Sequence, residues 1–177
     1  PEESLKKEFI YFSQVEDGVL QTGNFRGSYR SSKIITFHKH FDRIEVHQEN
    51  TSYYFDPESP LSLAEYANIN TPILASLEII ATEGDDSIFL ISGDALFLSE
   101  NIAMIKPPSR PGRKSSLGKL SSKKTKITDF NIYPENLEVR VDYVYDNANP
   151  SVQASALTDS RYITVGYRHA LMQMPED

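Results

Sequence analysis

Apolar and polar residues alternate along much of this chain. In Leu137-Glu138-Val139-Arg140-Val141-Asp142-Tyr143-Val144-Tyr145-Asp146 every odd position is apolar and most even ones are charged. A period of two sets one group of side chains on a core and the other in water, as an antiparallel strand does; a helix would spread them around its circumference. Shorter runs of the same kind predict strands at 8–14, 33–38, 42–48, 52–55, 73–81, 87–92, 124–132 and 161–172. The polar stretch Thr82-Glu83-Gly84-Asp85-Asp86 has the length of a hairpin loop. Pro134-Glu135-Asn136 is so tight a break that the strands on either side are expected to be antiparallel neighbours. One helix is expected from Ser59-Pro60 onward, with Leu61, Ala64 and Tyr66 on one face, ending before Pro72. About eight or nine short strands, one short helix and frequent turn signals predict a mainly β chain, an antiparallel sandwich or barrel-like domain rather than a βαβ fold.

Length and composition narrow this further. With 177 residues, 39% of them hydrophobic and including 10 Tyr and 9 Phe, the chain can fill one core, so a single β-rich domain over 1–177 is expected. No apolar run reaches the roughly 18 residues of a membrane helix, so no membrane span is expected. The absence of cysteine excludes disulfides, thiolate metal sites and cysteine nucleophiles, and leaves the redox compartment open. The opening Pro1-Glu2-Glu3-Ser4-Leu5-Lys6-Lys7 has no initiator Met and is too charged for a signal peptide, so the chain reads as a piece of something larger.

Charge is unevenly placed. The net charge is −7, which argues against general nucleic-acid binding because neutralising phosphates needs a basic surface. Yet no acid lies between Glu100 and Asp129, where eight bases fall: Lys106, Arg110, Arg113, Lys114, Lys119, Lys123, Lys124 and Lys126. Residues 106–122 also hold Pro107-Pro108, Pro111-Gly112 and Gly118, the composition of a flexible surface loop. The tract is read either as a partner-binding arm for an acidic surface or as a loop kept soluble by its charge. No aromatic is interleaved to stack on bases.

Reaction chemistry is harder to find. His38 and His40, two apart on a strand or its turn, project to one side, with Asp42, Glu45 and His47 as nearby metal-ligand choices; strand-edge polar residues are the commoner explanation. His169 falls at the end of a strand and finds no partner in the sequence. There is no HExxH, GxSxG or phosphate-cradling glycine loop, since Gly18, Gly23 and Gly27 do not open a helix. Glu83, Asp85 and Asp86 suit a polar hairpin better than a calcium loop. Tyr53-Tyr54 and Tyr143-Val144-Tyr145 suggest a sugar platform, but alternation sends Tyr143 and Tyr145 to the core with Leu137, Val139 and Val141. No catalytic and no metal-binding residue is assigned, and no cofactor is expected on this chain.

Several stretches, read in order, resemble one family. Leu5 to Ser13 resembles the strand entering its N-terminal region, and Lys33 to Phe37 with Arg43 to Val46 its VxFxRxxDxVxL hairpin. Thr71 to Ile79 resembles its SVLASFPI segment, Ile91 to Glu100 its DxTDLFLSD element, and Tyr133 to Val139 its FPxNTEVE element. Ile163 to Leu171, with Met174-Pro175-Glu176-Asp177, resembles VRVRHSLxxLPED. The family is the DUF5117 module of bacterial zinc-dependent metalloproteases, whose catalytic part is called DUF4953. The resemblance implies that zinc sits in a following domain with an HExxHxxGxxH helix, so no zinc ligand or catalytic Glu carries over to any residue here. It implies a noncatalytic accessory domain that packs on or orients the protease domain of the same polypeptide, in a protein exported to the periplasm or beyond. The alternative is an independent peptide- or glycan-binding β module.

Overall fold

The computed structural model describes residues 4–5, 7–18, 20–53, 56, 58–60, 69–84, 87–106, 115–150 and 157–175. Alternation becomes strand wherever a run can pair along its edge. Among the described residues nine strands form: β1 (Phe9–Asp17), β2 (Tyr29–His40), β3 (Arg43–Gln48), β4 (Ile73–Glu83), β5 (Ile88–Ile91), β6 (Lys119–Leu120), β7 (Lys126–Tyr133), β8 (Asn136–Asp146) and β9 (Tyr162–Gln173). They are antiparallel in the order β5-β4-β3-β2-β1-β9-β8-β6, with β7 also pairing β8, so the chain is mainly β as its periodicity predicts. Among the described residues one short α-helix, α1 (Asp94–Phe97), and a 3-10 turn at Leu20–Thr22 accompany them.

Three expectations need comment. Most of the helix expected after Ser59-Pro60 lies at 61–68, outside the described residues. The strand expected at 52–55 is absent at Ser52 and Tyr53. There Asn50 Oδ1 accepts the Ser52 N–H at 2.9 Å, a local turn that competes with any ladder; Tyr54 and Phe55 lie outside the described residues. The basic tract, expected to be loop, contains β6, which pairs Lys119 with Asp146 and Leu120 with Tyr145.

The chain divides into two compact units. The first holds Pro1–Ile10, Lys33–Ser92 and Gln173–Asp177. Its buried residues are Ile35, Ile44, Val46, Ala75 and Leu77. Antiparallel pairing sets Ile44 against Leu77 and Val46 against Ala75, so these apolar side chains share one face. The expected β4–β5 hairpin forms, turning at Gly84 with φ of 66°, a left-handed conformation that glycine adopts without strain.

The second unit holds Tyr11–Ser32 and Gly93–Met172. Here the long alternating run becomes β8, and Val139, Val141, Tyr143 and Tyr145 are all buried. Their cross-strand partners on β9 are His169, Tyr167, Val165 and Ile163, also buried. Removing each such side chain from water contributes about 1.5–3 kcal/mol. Part of this face is covered by α1 and the residues after it, where Leu96, Phe97, Ile102, Ala103 and Ile105 are buried. Tyrosine hydroxyls tie the cover down: Tyr143 donates to Phe97 O at 2.6 Å and Tyr167 to Ile105 O at 3.2 Å. The tight break expected at Pro134-Glu135-Asn136 is a two-residue turn, Pro134-Glu135, that joins β7 to β8 in antiparallel register, with Asn136 already in β8.

Candidate functional site

β7 stands apart from the other long strands because all eight of its residues are exposed. It is not a polar strand. Ile127 lies opposite Val141, Phe130 opposite Val139 and Ile132 opposite Leu137. Cross-strand partners share a face, so these three side chains project on the side where β8 buries its valines. They nevertheless remain 38%, 63% and 73% exposed. The hydroxyl contacts of the cover fall on Tyr143, Tyr145 and Tyr167, whereas β7 pairs with the Asn136–Asp142 part of β8. β7 pairs with β8 alone, so its far edge has no partner among the described residues. A bulge between Ile127 and Asp129 leaves Thr128 as the extra residue and Phe130–Tyr133 as the regular stretch.

The eight predicted partner-binding bases separate into three groups. Lys106 Nζ sits 3.1 Å from Glu100 Oε2 and over the Tyr145 ring, while Glu100 Oε1 accepts from Tyr145 Oη at 2.8 Å; this lysine anchors the covering segment. Lys124 Nζ pairs with Asp146 at 2.8 Å and lies over the Tyr162 ring. Lys119, Lys123 and Lys126 are exposed and make no ion pair with a described residue. They lie on β6, in the turn after it, and at the start of β7. Arg110, Arg113 and Lys114 fall outside the described residues.

The histidines take two different roles. His38 and His47 come together on β2 and β3, ring centroids 4.4 Å apart. His38 Nε2 hydrogen-bonds Thr36 Oγ1 at 2.9 Å, and His47 Nε2 meets Glu45 Oε2 at 3.0 Å. The hydrogen bond to His47 holds the Glu45 carboxyl below its ordinary pKa. His40 packs its ring against Phe41. No three His, Asp or Glu side chains among the described residues are arranged to hold a metal ion. Asp85 and Asp86 of the calcium alternative lie outside the described residues.

His169 lies inside β9 rather than at its end, only 1% exposed, and has the partners that the sequence did not reveal. Tyr11 Oη lies 2.7 Å from its Nδ1 and Tyr143 Oη 2.9 Å from its Nε2. Because Tyr143 gives its one proton to Phe97 O, it accepts from Nε2–H, and Tyr11 donates to Nδ1; that assignment satisfies every atom of a neutral imidazole. Burial pushes the His169 pKa down to about 4 and raises those of Tyr11 and Tyr143 far above the phenol range. With no solvent access and every ring nitrogen bonded, this cluster is core architecture.

The opposite face of β1, β8 and β9 carries a charge clamp. Glu16 Oε1 accepts from Arg140 Nη2 and Arg168 Nε, both at 2.8 Å. Burial pushes the Glu16 carboxyl up, but the hydrogen bond from Arg140 and the charge of Arg168 outweigh it and hold the pKa below its usual value. Beside the clamp is a polar depression of about 240 Å³ lined in part by Gln14, Arg26 and Gly27. The clamp charges are already paired with one another.

For the sugar-platform alternative, Tyr143 and Tyr145 are fully buried, as alternation predicts, and Tyr53 is exposed while Tyr54 lies outside the described residues. Phe130 and Tyr133 share β7 but pair with Val139 and Asn136, on opposite faces, and so form no common platform. The apolar exposure of β7 is what sequence reasoning missed. A strand pattern signals which side chains share a face, and the sequence held no sign of where the covering segment would stop.

Comparison with known proteins places the chain in a family: the one described as Domain of unknown function (DUF5117) matches residues 27–177, and the chain belongs to it. No curated protein and no solved structure matches.

Proposed function

We propose that this DUF5117 chain is a noncatalytic accessory module of an exported bacterial zinc metallopeptidase, docking through β7 on the protease domain of the same polypeptide. The observation that carries the docking is the row Ile127, Phe130 and Ile132, exposed beside the buried Val139 and Val141 of the adjoining strand. An apolar strand edge left bare invites association, which is why soluble proteins cover or charge such edges. Family resemblance in the ordered segments from Leu5 to Asp177 supports the metallopeptidase context.

The test mixes this chain with the metallopeptidase domain of its parent and measures binding by calorimetry. The native chain is expected to bind, and the double variant Phe130→Thr/Ile132→Thr to bind at least roughly tenfold more weakly. Threonine keeps strand propensity, and both sites are exposed, so the fold is expected to survive. Equal affinity for the two forms would refute docking through β7. A parent gene without a metallopeptidase domain would refute the wider assignment.

A further inference from the structure

We infer that β7 takes up its partner by strand addition, and that the added segment alternates apolar residues along Ile127, Phe130 and Ile132 and carries carboxylates at the end that meets Lys119, Lys123 and Lys126. The inference rests on the docking reading above and names the chemistry of the surface that would dock.

Three features of the edge lead there. First, β7 uses one side of its backbone to pair with β8, so every second N–H and C=O on its other side points outward, with no strand there among the described residues. An extended segment satisfies those groups; a helix, whose backbone groups are already paired, leaves them bare. Second, the exposed apolar side chains lie on a single face, so the incoming strand must present apolar residues at every second position on that face.

Third, charge selects among extended partners. The chain as a whole is at −7, but the β6–β7 end of this edge bears three exposed lysines without an ion pair to any described residue. Lys106 and Lys124 of this tract are held by Glu100 and Asp146, whereas Lys119 and Lys126, set opposite Asp146 and Asp142 in the ladder, form no ion pair with them. Carboxylates on the incoming segment would complete the pattern and fix its register along the edge.

A second copy of this chain fits less well. Centred on Phe130, antiparallel self-pairing would set Ile132 against the bulged Thr128; centred on Asn131, it keeps like faces together and Phe130 would meet Ile132. One step further, Asp129 meets Tyr133; beyond that the bulged Thr128 meets Pro134, which has no N–H to give. So short a match falls well below the roughly 1,200 Å² of specific interfaces.

Random twelve-residue peptides displayed on phage would be selected on the immobilised chain and counter-selected on the Phe130→Lys/Ile132→Lys variant. Survivors are expected to alternate apolar residues and to group Asp or Glu at one end. Bound survivors should slow amide exchange along β7, and the triple change Lys119→Glu/Lys123→Glu/Lys126→Glu should weaken them roughly tenfold or more. Survivors without acidic bias, protection on β5 instead of β7, or no survivors would each overturn the inference, as would a concentration-dependent dimer that protects β7 without peptide. If binding of the metallopeptidase domain depends on Phe130 and Ile132 while the survivors show no acidic bias, this inference falls and the docking reading stands. If domain binding ignores those positions while acidic peptides still hold β7, the docking reading alone falls.

Discussion

β7 and β8 are neighbours joined by a two-residue turn, and both carry apolar side chains on the same face, yet one is wholly exposed and the other is buried at alternate positions. The difference lies above the strands. Over β8, the hydroxyls of Tyr143 and Tyr145 reach Phe97 O and Glu100 of the covering segment, which is held in turn by Lys106. Against β7 no such tie exists among the described residues. Alternation therefore specifies which face a residue joins, and burial depends on whether another part of the chain has enough reach and anchoring to close over it.

The largest expected effect lies on the covered strand. Tyr143→Ala removes a fully buried ring and leaves His169 Nε2–H and Phe97 O without their partner, and is expected to cost about 3–5 kcal/mol in urea unfolding. A loss below about 1 kcal/mol would mean that the cover is not fixed through this side chain.

Acid should act on the same strand. Because burial depresses the His169 pKa to about 4 from its ordinary value of 6.5, the unfolded chain binds the proton more readily between those values. Its contribution is fully present above pH 6.5, falls as the pH drops through that window, and amounts to roughly 3 kcal/mol lost near pH 4. His169→Gln should flatten that part of the stability–pH curve. An unchanged slope would place the acid sensitivity elsewhere.

Smaller effects belong to the margins of the pair. Lys124→Met breaks an exposed ion pair with Asp146 and is expected to cost no more than about 1 kcal/mol, with salt reducing the difference. Phe130→Thr on β7 should change stability by less than about 0.5 kcal/mol, because the ring is already in water. A loss of 2 kcal/mol or more there would show that β7 belongs to the core after all and would remove the basis for docking.

Much of the fold was legible in the residues. The run from Leu137 to Asp146 gave its strand and its buried face, and Pro134-Glu135-Asn136 gave the adjoining antiparallel strand. Gly84 marked the β4–β5 turn. β6 was missed because two residues are too short to show a period, and α1 because a four-residue turn leaves no helical repeat to detect. Of the candidate site, the sequence supplied the bases but not their separation into Lys106 and Lys124, held by acids, and Lys119, Lys123 and Lys126 at the open edge.

The sequence by itself determined the strand class, the facing of Tyr143 and Tyr145, the lack of thiol chemistry and the concentration of positive charge after Glu100, because each follows from the order of neighbouring residues. The tertiary structure decided what His169 does and which apolar row stays uncovered. Those outcomes depend on contacts between segments far apart in the chain: Tyr11 and His169 are separated by 158 positions, and no local pattern encodes their 2.7 Å hydrogen bond.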